Sequence, residues 1–377
     1  MSNSGPNTGK VNNWKLLLIP FAWLYGLVIW IRNVLYDNGL FSSATFDIPL
    51  ISVGNITVGG TGKTPHVEYL AGLLMEKYHV ATLSRGYRRK TRDFRMAELD
   101  SGVSEIGDEA LQIKKRYPGI SVAVDRSRVN GVKKLMEQRP PVEVILLDDA
   151  YQHRALKAGL SILLMDYNRP LDRDRLLPAG MLREPASNRK RAHIILITRT
   201  PESTQAMERQ AFVKRLGLSM GQQLYFTSMQ YGELRPVYLD NPGKTTAWFK
   251  ENAGAILLVS GIANPRPLRE YARSIRDRLT ELSFPDHHRY RAGDMEKIYQ
   301  NYCRLKEQHQ EVLVLTTDKD AVRLQEHKPG AGLKEAFYSV PIGVHFPNND
   351  KEEFDRQIFD YVKSNKRSSI LHQGEDS

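Results

Sequence analysis

Residues 57–64 read Thr57-Val58-Gly59-Gly60-Thr61-Gly62-Lys63-Thr64. They lie between an apolar run, Ile48-Pro49-Leu50-Ile51-Ser52-Val53, and a helical pattern that begins at Pro65. Strand, glycine-rich loop, Lys-Thr and helix is the layout of a phosphate-binding P-loop, in which glycines let backbone N–H groups turn around phosphate oxygens. Lys63 is the group that would reach the β- and γ-phosphates, and the Thr64 hydroxyl is a candidate Mg2+ ligand. The match is imperfect. Thr57 stands where the first glycine of G-x-x-x-x-G-K-[ST] belongs, which leaves Gly59-Gly60 to supply the backbone freedom. A chance Gly-Lys-Thr in an ordinary strand-to-helix turn is the plain alternative, and the flanking strand and helix patterns argue against it.

Such a loop predicts an α/β fold, and the pattern agrees. Apolar strand candidates at 48–53, 80–83, 120–124, 144–147, 162–165 and 194–197 alternate with helical segments at 64–77, 108–117 and 127–138. Near-continuous apolar strands between helices imply a mostly parallel sheet with helices on both faces, and ligands in such sheets sit at the carboxyl ends of the strands. Residues 201–221 read as a helix with a tail, and the runs 223–229 and 233–239 read as a hairpin around Gln230-Tyr231-Gly232. Strands at 255–259, 280–284 and 312–315, with helices at 267–278, 295–307, 319–325 and 351–364, predict a second, smaller α/β domain joined by a β-ribbon. The expected divisions are 1–40 (tail and apolar helix), 41–220 (P-loop domain), 221–242 (bridging β-hairpin), 243–364 (second α/β domain) and 365–377 (flexible tail).

Composition narrows the partners. The net charge of +11, from 54 Lys+Arg against 43 Asp+Glu, suits an anionic partner: nucleic acid, an acidic membrane or a phosphorylated substrate. The single cysteine, Cys303, excludes an intrachain disulfide and a cysteine-based zinc site. Residues 1–13 are polar and rich in Ser, Asn and Gly, as in disordered tails. Leu16 to Ile31 then carry no charge, with Trp14, Trp23, Tyr25 and Trp30 as interface-favouring rings and Lys15 and Arg32 as flanks. As a helix this run covers about 24 Å, short of a hydrocarbon core of about 30 Å, and Pro20 and Gly26 weaken it as a span. A signal peptide is possible on length, but no convincing small-x-small cleavage site follows. The reading is a helix lying in, or partly inserted into, the cytoplasmic leaflet, with a tilted single span or a buried core helix as alternatives.

Further motifs follow the strands. Val144-Ile145-Leu146-Leu147-Asp148-Asp149 is an apolar strand ending in acid, the Walker B pattern that holds Mg2+. Adjacent carboxylates on an extended chain point to opposite sides, so one serves the metal and the other structure or substrate. Gln152, His153 and Arg154 follow, able to bond phosphate or sugar. Ser84-Arg85-Gly86-Tyr87-Arg88-Arg89-Lys90 is basic, and Arg85 stands nearest its strand end. Arg126 and Arg128 follow the third strand, and Arg183 lies in Leu176–Pro185 after the fifth; arginine forks suit phosphate, while helix-start ion pairing is the plain alternative. Gly107-Asp108-Glu109 opens a helix, where an acid is often only a cap. Asp286-His287-His288 lacks a partner motif with zinc spacing, and a histidine beside an active-site acid could tune a general base.

Taken together, the chain resembles the tetraacyldisaccharide 4′-kinase family, the lipid A 4′-kinases of Gram-negative bacteria. The resemblance runs from the apolar N-terminal helix to about Leu324. It is carried by residues 52–65, Leu83-Ser84-Arg85-Gly86-Tyr87, Gly107-Asp108-Glu109, Leu147 to Arg154, Leu176 to Pro185, Phe284-Pro285-Asp286-His287-His288 and Thr316-Thr317-Asp318-Lys319-Asp320-Ala321-Val322. The missing first glycine is then a family trait. The chain differs in Ala150-Tyr151, where the family has Gly-Phe, and in Ala110, where it has proline. Alanine argues against a left-handed backbone at position 150.

The resemblance implies an ATP- and Mg2+-dependent kinase. It would transfer the γ-phosphoryl group to the 4′-hydroxyl of a tetraacylated disaccharide 1-phosphate, on the cytoplasmic face of the bacterial inner membrane, peripheral or singly anchored. It also implies that Asp108 and His287 activate the sugar hydroxyl across a closing interdomain cleft. On this reading residues 57–64 hold ATP and Lys63 stabilises the transferring group. Thr64, Asp148 or Asp149 and Glu109 are the metal candidates, and Arg85, Arg126, Arg128, Gln152, His153 and Arg183 the substrate candidates. The alternative is a P-loop GTPase or ATPase acting as a switch or chaperone at a membrane. A GTPase should carry [NT]-K-x-D, and Asp318-Lys319-Asp320-Ala321 has the wrong end residues; L-S-G-G-Q of transporter ATPases is absent. A nucleic-acid-dependent ATPase would not need the apolar N-terminal run, so no nucleic-acid partner is expected.

Overall fold

The computed structural model describes residues 17–238, 243–330, 332–347 and 349–373. The tail 1–13, with Trp14, Lys15 and Leu16, therefore lies outside the described residues, as do Leu239 and the last four positions. The first part of the chain runs α1 (Ile19–Asp37), β1 (Leu50–Asn55), α2 (Lys63–Met75), β2 (Val80–Ser84), β3 (Arg95–Met96), α3 (Val103–Ile106), α4 (Asp108–Arg116), β4 (Ser121–Val124), α5 (Arg128–Met136), β5 (Val144–Asp148), β6 (Leu160–Asp166), β7 (Ile194–Thr198), α6 (Ala206–Leu216) and β8 (Gln223–Phe226). It continues with β9 (Ser228–Tyr231), β10 (Arg235–Pro236), α7 (Thr246–Asn252), β11 (Ala255–Ser260), α8 (Arg266–Ile275), β12 (Leu279–Ser283), α9 (Ala292–Lys306), β13 (Val312–Thr317), α10 (Asp318–Leu324), α11 (Leu333–Ala336), β14 (Phe337–Val340), β15 (Ile342–His345) and α12 (Asp350–Gln373).

The chain divides into two compact units, each built from separate stretches. The first holds the described residues up to Lys63, Asp149–Thr227 and those from Pro347 on. Its strands β1, β6, β7 and β8 lie side by side and parallel, part of the fold's large sheet. β1 and β7 are buried at every position, which is why they read as near-continuous apolar runs. Ile56, Leu163, Met165, Ile195, Ile197, Phe212 and Phe226 form one core cluster on this sheet.

The second unit comprises Thr64–Asp148 and Ser228–Phe346. In it β4, β2 and β5 are parallel, and the short β3 is antiparallel to β4 at the edge. A five-stranded sheet in the order β10-β14-β13-β11-β12 carries the later α/β pattern. Its two faces pack separate cores, one around Phe337 and Ile298, the other around Phe249 and Tyr338.

Three expectations are corrected. The runs 223–229 and 233–239 do not pair with each other: β8 joins β7 in parallel and β9 joins β15 antiparallel. Phe226 belongs to the β7-side core, so burial decides β8's partner over a local turn. The C-terminal helix does not end near Ser364 but continues to Gln373, since no glycine or proline interrupts it before Gly374. The apolar helix is longer than Leu16–Ile31 predicts and runs on to Asp37. It buries only Ala22, Ile29 and Asn33, while Phe21, Trp23, Leu24, Leu27, Val28 and Trp30 stay exposed, Trp23 at 78%. That removes the buried-core-helix reading. By length and composition α1 is able to cross a membrane, with 11% of its apolar window buried.

Candidate functional site

The P-loop leaves β1 at Asn55, whose side-chain amide donates to Thr61 Oγ1 at 2.8 Å and so ties the two ends of the turn together. Thr198, at the end of β7, donates its hydroxyl to the Thr61 carbonyl at 3.0 Å. Val58 N–H bonds the Met181 carbonyl at 2.7 Å, and Thr57 bridges Leu182. Gly59 at φ 104° and Gly62 at φ 84° take the left-handed backbone. Thr57 is buried at 5% and is not among the left-handed residues, so a glycine is not needed there. The freedom expected from Gly59-Gly60 comes from Gly59 and Gly62 instead.

Lys63 opens α2, with Thr64 one residue further in, so the loop's backbone N–H groups belong to the start of a 13-residue helix. The Lys63 ammonium is 3.6 Å from Asp149, and Arg183 meets the same carboxylate at 3.0 Å. Asp149 takes the left-handed turn at φ 48°, and Ala150 does not, which answers the question its substitution raised. Asp148, the last residue of β5, is only 2% exposed, while the Asp149 side chain is 38% exposed, because the chain leaves the strand in a left-handed turn at Asp149. A side chain at Gly54 would put its Cβ 2.7 Å from Tyr151 Cβ, so this turn packs directly on β1.

Asp108 and His287, 179 positions apart in sequence, are hydrogen-bonded from Oδ2 to Nδ1 at 2.8 Å within the second unit. Asp108 opens α4, and its Oδ1 accepts the Glu109 N–H at 3.0 Å. Arg323 lies 3.7 Å from Asp108 and Lys319 lies 3.5 Å from Glu109. Burial pushes the Asp108 carboxyl up, but the His287 hydrogen bond and the charges of Lys319, His287 and Arg323 together hold it below the usual carboxylate range. His287 sits at φ 56°, its N–H on the Gly261 carbonyl at 3.1 Å and its ring 5.1 Å from Tyr87. Arg88 donates to the His287 carbonyl at 3.1 Å.

The remaining predicted residues divide. Arg85 and Arg126 are exposed at the ends of β2 and β4. Arg128 is buried at 2%, with its guanidinium on the Asp125 carbonyl at 2.8 Å and the Asp148 carbonyl at 3.2 Å. Gln152 donates to the Asn55 carbonyl at 2.8 Å, His153 is half-buried, and Glu109 faces Lys319. His288 bonds Asp294 at 3.0 Å and turns away from any trio with His287.

Four cations were not singled out from the sequence: Lys319, Arg323, Arg169 and Arg199. Arg169 and Arg199 stand 3.4 and 3.5 Å from where side chains at Gly59 and Gly60 would begin. Arg199 is held by the buried Asp166 at 2.8 Å. All but Arg323 lie within about three residues of a strand's carboxyl end, and that position was the signal available.

Three comparisons with known proteins place the chain in a family. The family model described as tetraacyldisaccharide-1-P 4′-kinase matches residues 14–363. A tetraacyldisaccharide 4′-kinase of Phocaeicola vulgatus is 44% identical over 96% of this chain and 98% of its own. One of Bacteroides thetaiotaomicron is 41% identical over 98% of each. A crystal structure of LpxK from Aquifex aeolicus in complex with ATP matches with a TM-score of 0.72 at 29% identity, covering 93% of this chain and 99% of that one. The match spans nearly the whole length, and the chain belongs to the tetraacyldisaccharide-1-P 4′-kinase family.

Proposed function

We propose that this chain transfers the γ-phosphoryl group of ATP to the 4′-hydroxyl of a tetraacylated glucosamine disaccharide 1-phosphate, giving the bis-phosphorylated lipid A precursor. The observation that carries this is the Asp108–His287 hydrogen bond of 2.8 Å in a chain whose family is named for that reaction. A switch GTPase or ATPase has no need of an acid–imidazole pair to take a proton from an alcohol, so the alternative is not favoured.

Residues 57–64 hold the ATP phosphates through backbone N–H groups, and Lys63 stabilises the transferring group. The sugar oxygen bonds to the γ-phosphorus as the bond to the β–γ bridging oxygen breaks and ADP leaves. The hydroxyl proton goes to the Asp108–His287 pair. The oxygen donors Thr64, Asp148 and Asp149 suit Mg2+, which takes one or two carboxylates and fills its shell with water and phosphate. When bound there it neutralises phosphate charge. Glu109, which faces Lys319 at 3.5 Å as Asp149 faces Lys63 and Arg183, is the further carboxylate candidate. Arg85 and Arg126, exposed at strand ends, are the substrate-phosphate candidates, whereas buried Arg128 braces the carbonyl of Asp148. Arg183 and Gln152 hold Asp149 and the end of β1.

On this reading the enzyme works at the cytoplasmic membrane surface, which the exposed apolar side chains of α1 support. Tyr25 Oη donates to the Arg183 carbonyl at 2.8 Å and Arg32 pairs with Glu184 at 2.8 Å, so the helix that meets lipid is tied to the segment that pairs with the P-loop. The test is transfer of labelled γ-phosphate to the lipid disaccharide by purified protein in detergent. One labelled lipid per ATP consumed is expected, and nucleotide hydrolysis that ignores the lipid would reject the proposal. Replacing exposed Phe21 and Trp23 by Asp should lower partition onto anionic vesicles. Undiminished partition would reject the role of α1.

A further inference from the structure

The Asp108–His287 pair has a third member. Lys319, two residues after the end of β13, places its Nζ 2.9 Å from His287 Nε2. A lysine ammonium has three donors and no acceptor. His287 Nε2 must therefore accept, which puts the ring proton on Nδ1, where it is donated to Asp108 Oδ2 at 2.8 Å. The neighbouring Asp286 carboxylate is 3.9 Å from Nε2, beyond hydrogen-bond reach. The backbone of His287 is held by Gly261, and Arg88 is bound to its carbonyl.

We propose that Lys319 is a positioning residue of the phosphoryl transfer: as a donor to Nε2 it fixes His287 as the neutral Nδ1–H tautomer, with the Nε2 lone pair turned outward. This rests on the proposed use of the Asp108–His287 pair and deepens it. Asp108 is buried at 3%, and its two oxygens take the Glu109 N–H and the His287 Nδ1–H. Nε2 is then the lone pair the pair can offer to an arriving hydroxyl. Glu109, 3.5 Å from Lys319, gives the ammonium a carboxylate to lean on when the hydroxyl takes its place. Proton balance is simple: the hydroxyl proton moves to Nε2, Nδ1 keeps its own, and Asp108 stays ionised beside the imidazolium.

The test reads the tautomer directly. In the full-length protein labelled with 15N-histidine, two-bond 1H–15N correlations distinguish Nδ1–H from Nε2–H, and the His287→Gln spectrum assigns the signal. The wild-type chain should show the Nδ1–H pattern; an Nε2–H pattern there overturns the proposal whatever any variant does. Lys319→Met should lose the pure Nδ1–H pattern and lower kcat roughly 10- to 100-fold, with both KM values within about threefold. Lys319→Arg, which keeps a donor and the charge, should hold the tautomer and recover most of the rate. An unchanged tautomer in Lys319→Met, or a loss borne by KM alone, overturns it too. Full activity in Asp108→Asn would instead reject the use of the pair, a separate failure from that of Lys319.

Discussion

The P-loop and the Asp108 cluster are built by opposite means. The loop is one contiguous stretch whose shape is a backbone matter: left-handed Gly59 and Gly62, a tie from Asn55 to Thr61, and a helix that starts at Lys63. The cluster is a side-chain matter, assembled from the start of α4, the turn after β12 and the start of α10. The difference teaches where each is fragile. The loop should break under steric change, and the cluster under loss of a single charge or proton.

The largest effect should come from the cluster. Asp108→Asn keeps the volume and removes the carboxylate, and kcat for labelled phosphate transfer should fall about 10²- to 10⁴-fold. Lys63→Ala removes the charged side chain of residues 57–64, the one proposed to reach phosphate, and should cost about 10²- to 10³-fold in kcat/KM. If Lys63→Ala proved harmless while Asp108→Asn did not, the loop would be acting through its backbone alone.

Steric change sharpens the contrast from the other side. Gly59→Ala, at φ 104°, should destabilise the chain by about 1–3 kcal/mol in denaturant melts and raise the KM for ATP. Gly293→Ala is the control: it lies in α9 with open space around it and should gain about 0.5–1 kcal/mol from helix propensity. Equal losses in the two would mean that the loop's backbone is not specially constrained.

The smallest effect is on acid stability. The Asp108 carboxyl titrates below its ordinary 3.8 in the folded chain, so its contribution is fully present above that value and is lost as the pH falls from there through the folded value. The stability gap between wild type and Asp108→Asn should therefore be wide at pH 7 and narrow toward pH 3. A gap that stays constant on acidification would mean that the carboxylate is not held ionised by its neighbours.

Much of the fold was legible because buried parallel strands leave near-continuous apolar runs, as in β1, β5 and β7. The two-residue β3 and β10 left no such signal. The partners of β8 and β9 were misread because a turn-like Tyr231-Gly232 is a local cue, while pairing follows where Phe226 and Tyr225 are buried. In the site, Lys63 and Asp149 were legible from motif and strand end. Arg128 was read as a substrate arginine, but sequence cannot say that its guanidinium is spent on two carbonyls.

By itself the sequence determined the phosphate loop, because its residues are neighbours in the chain and local backbone preferences shape it. Thr57 in place of glycine was no defect, since the left-handed positions are 59 and 62. What only the tertiary structure decided is that Lys319 and Asp108 meet on the two nitrogens of one imidazole. Those partners lie 32 and 179 positions from His287, and such a contact exists only after separate elements have packed.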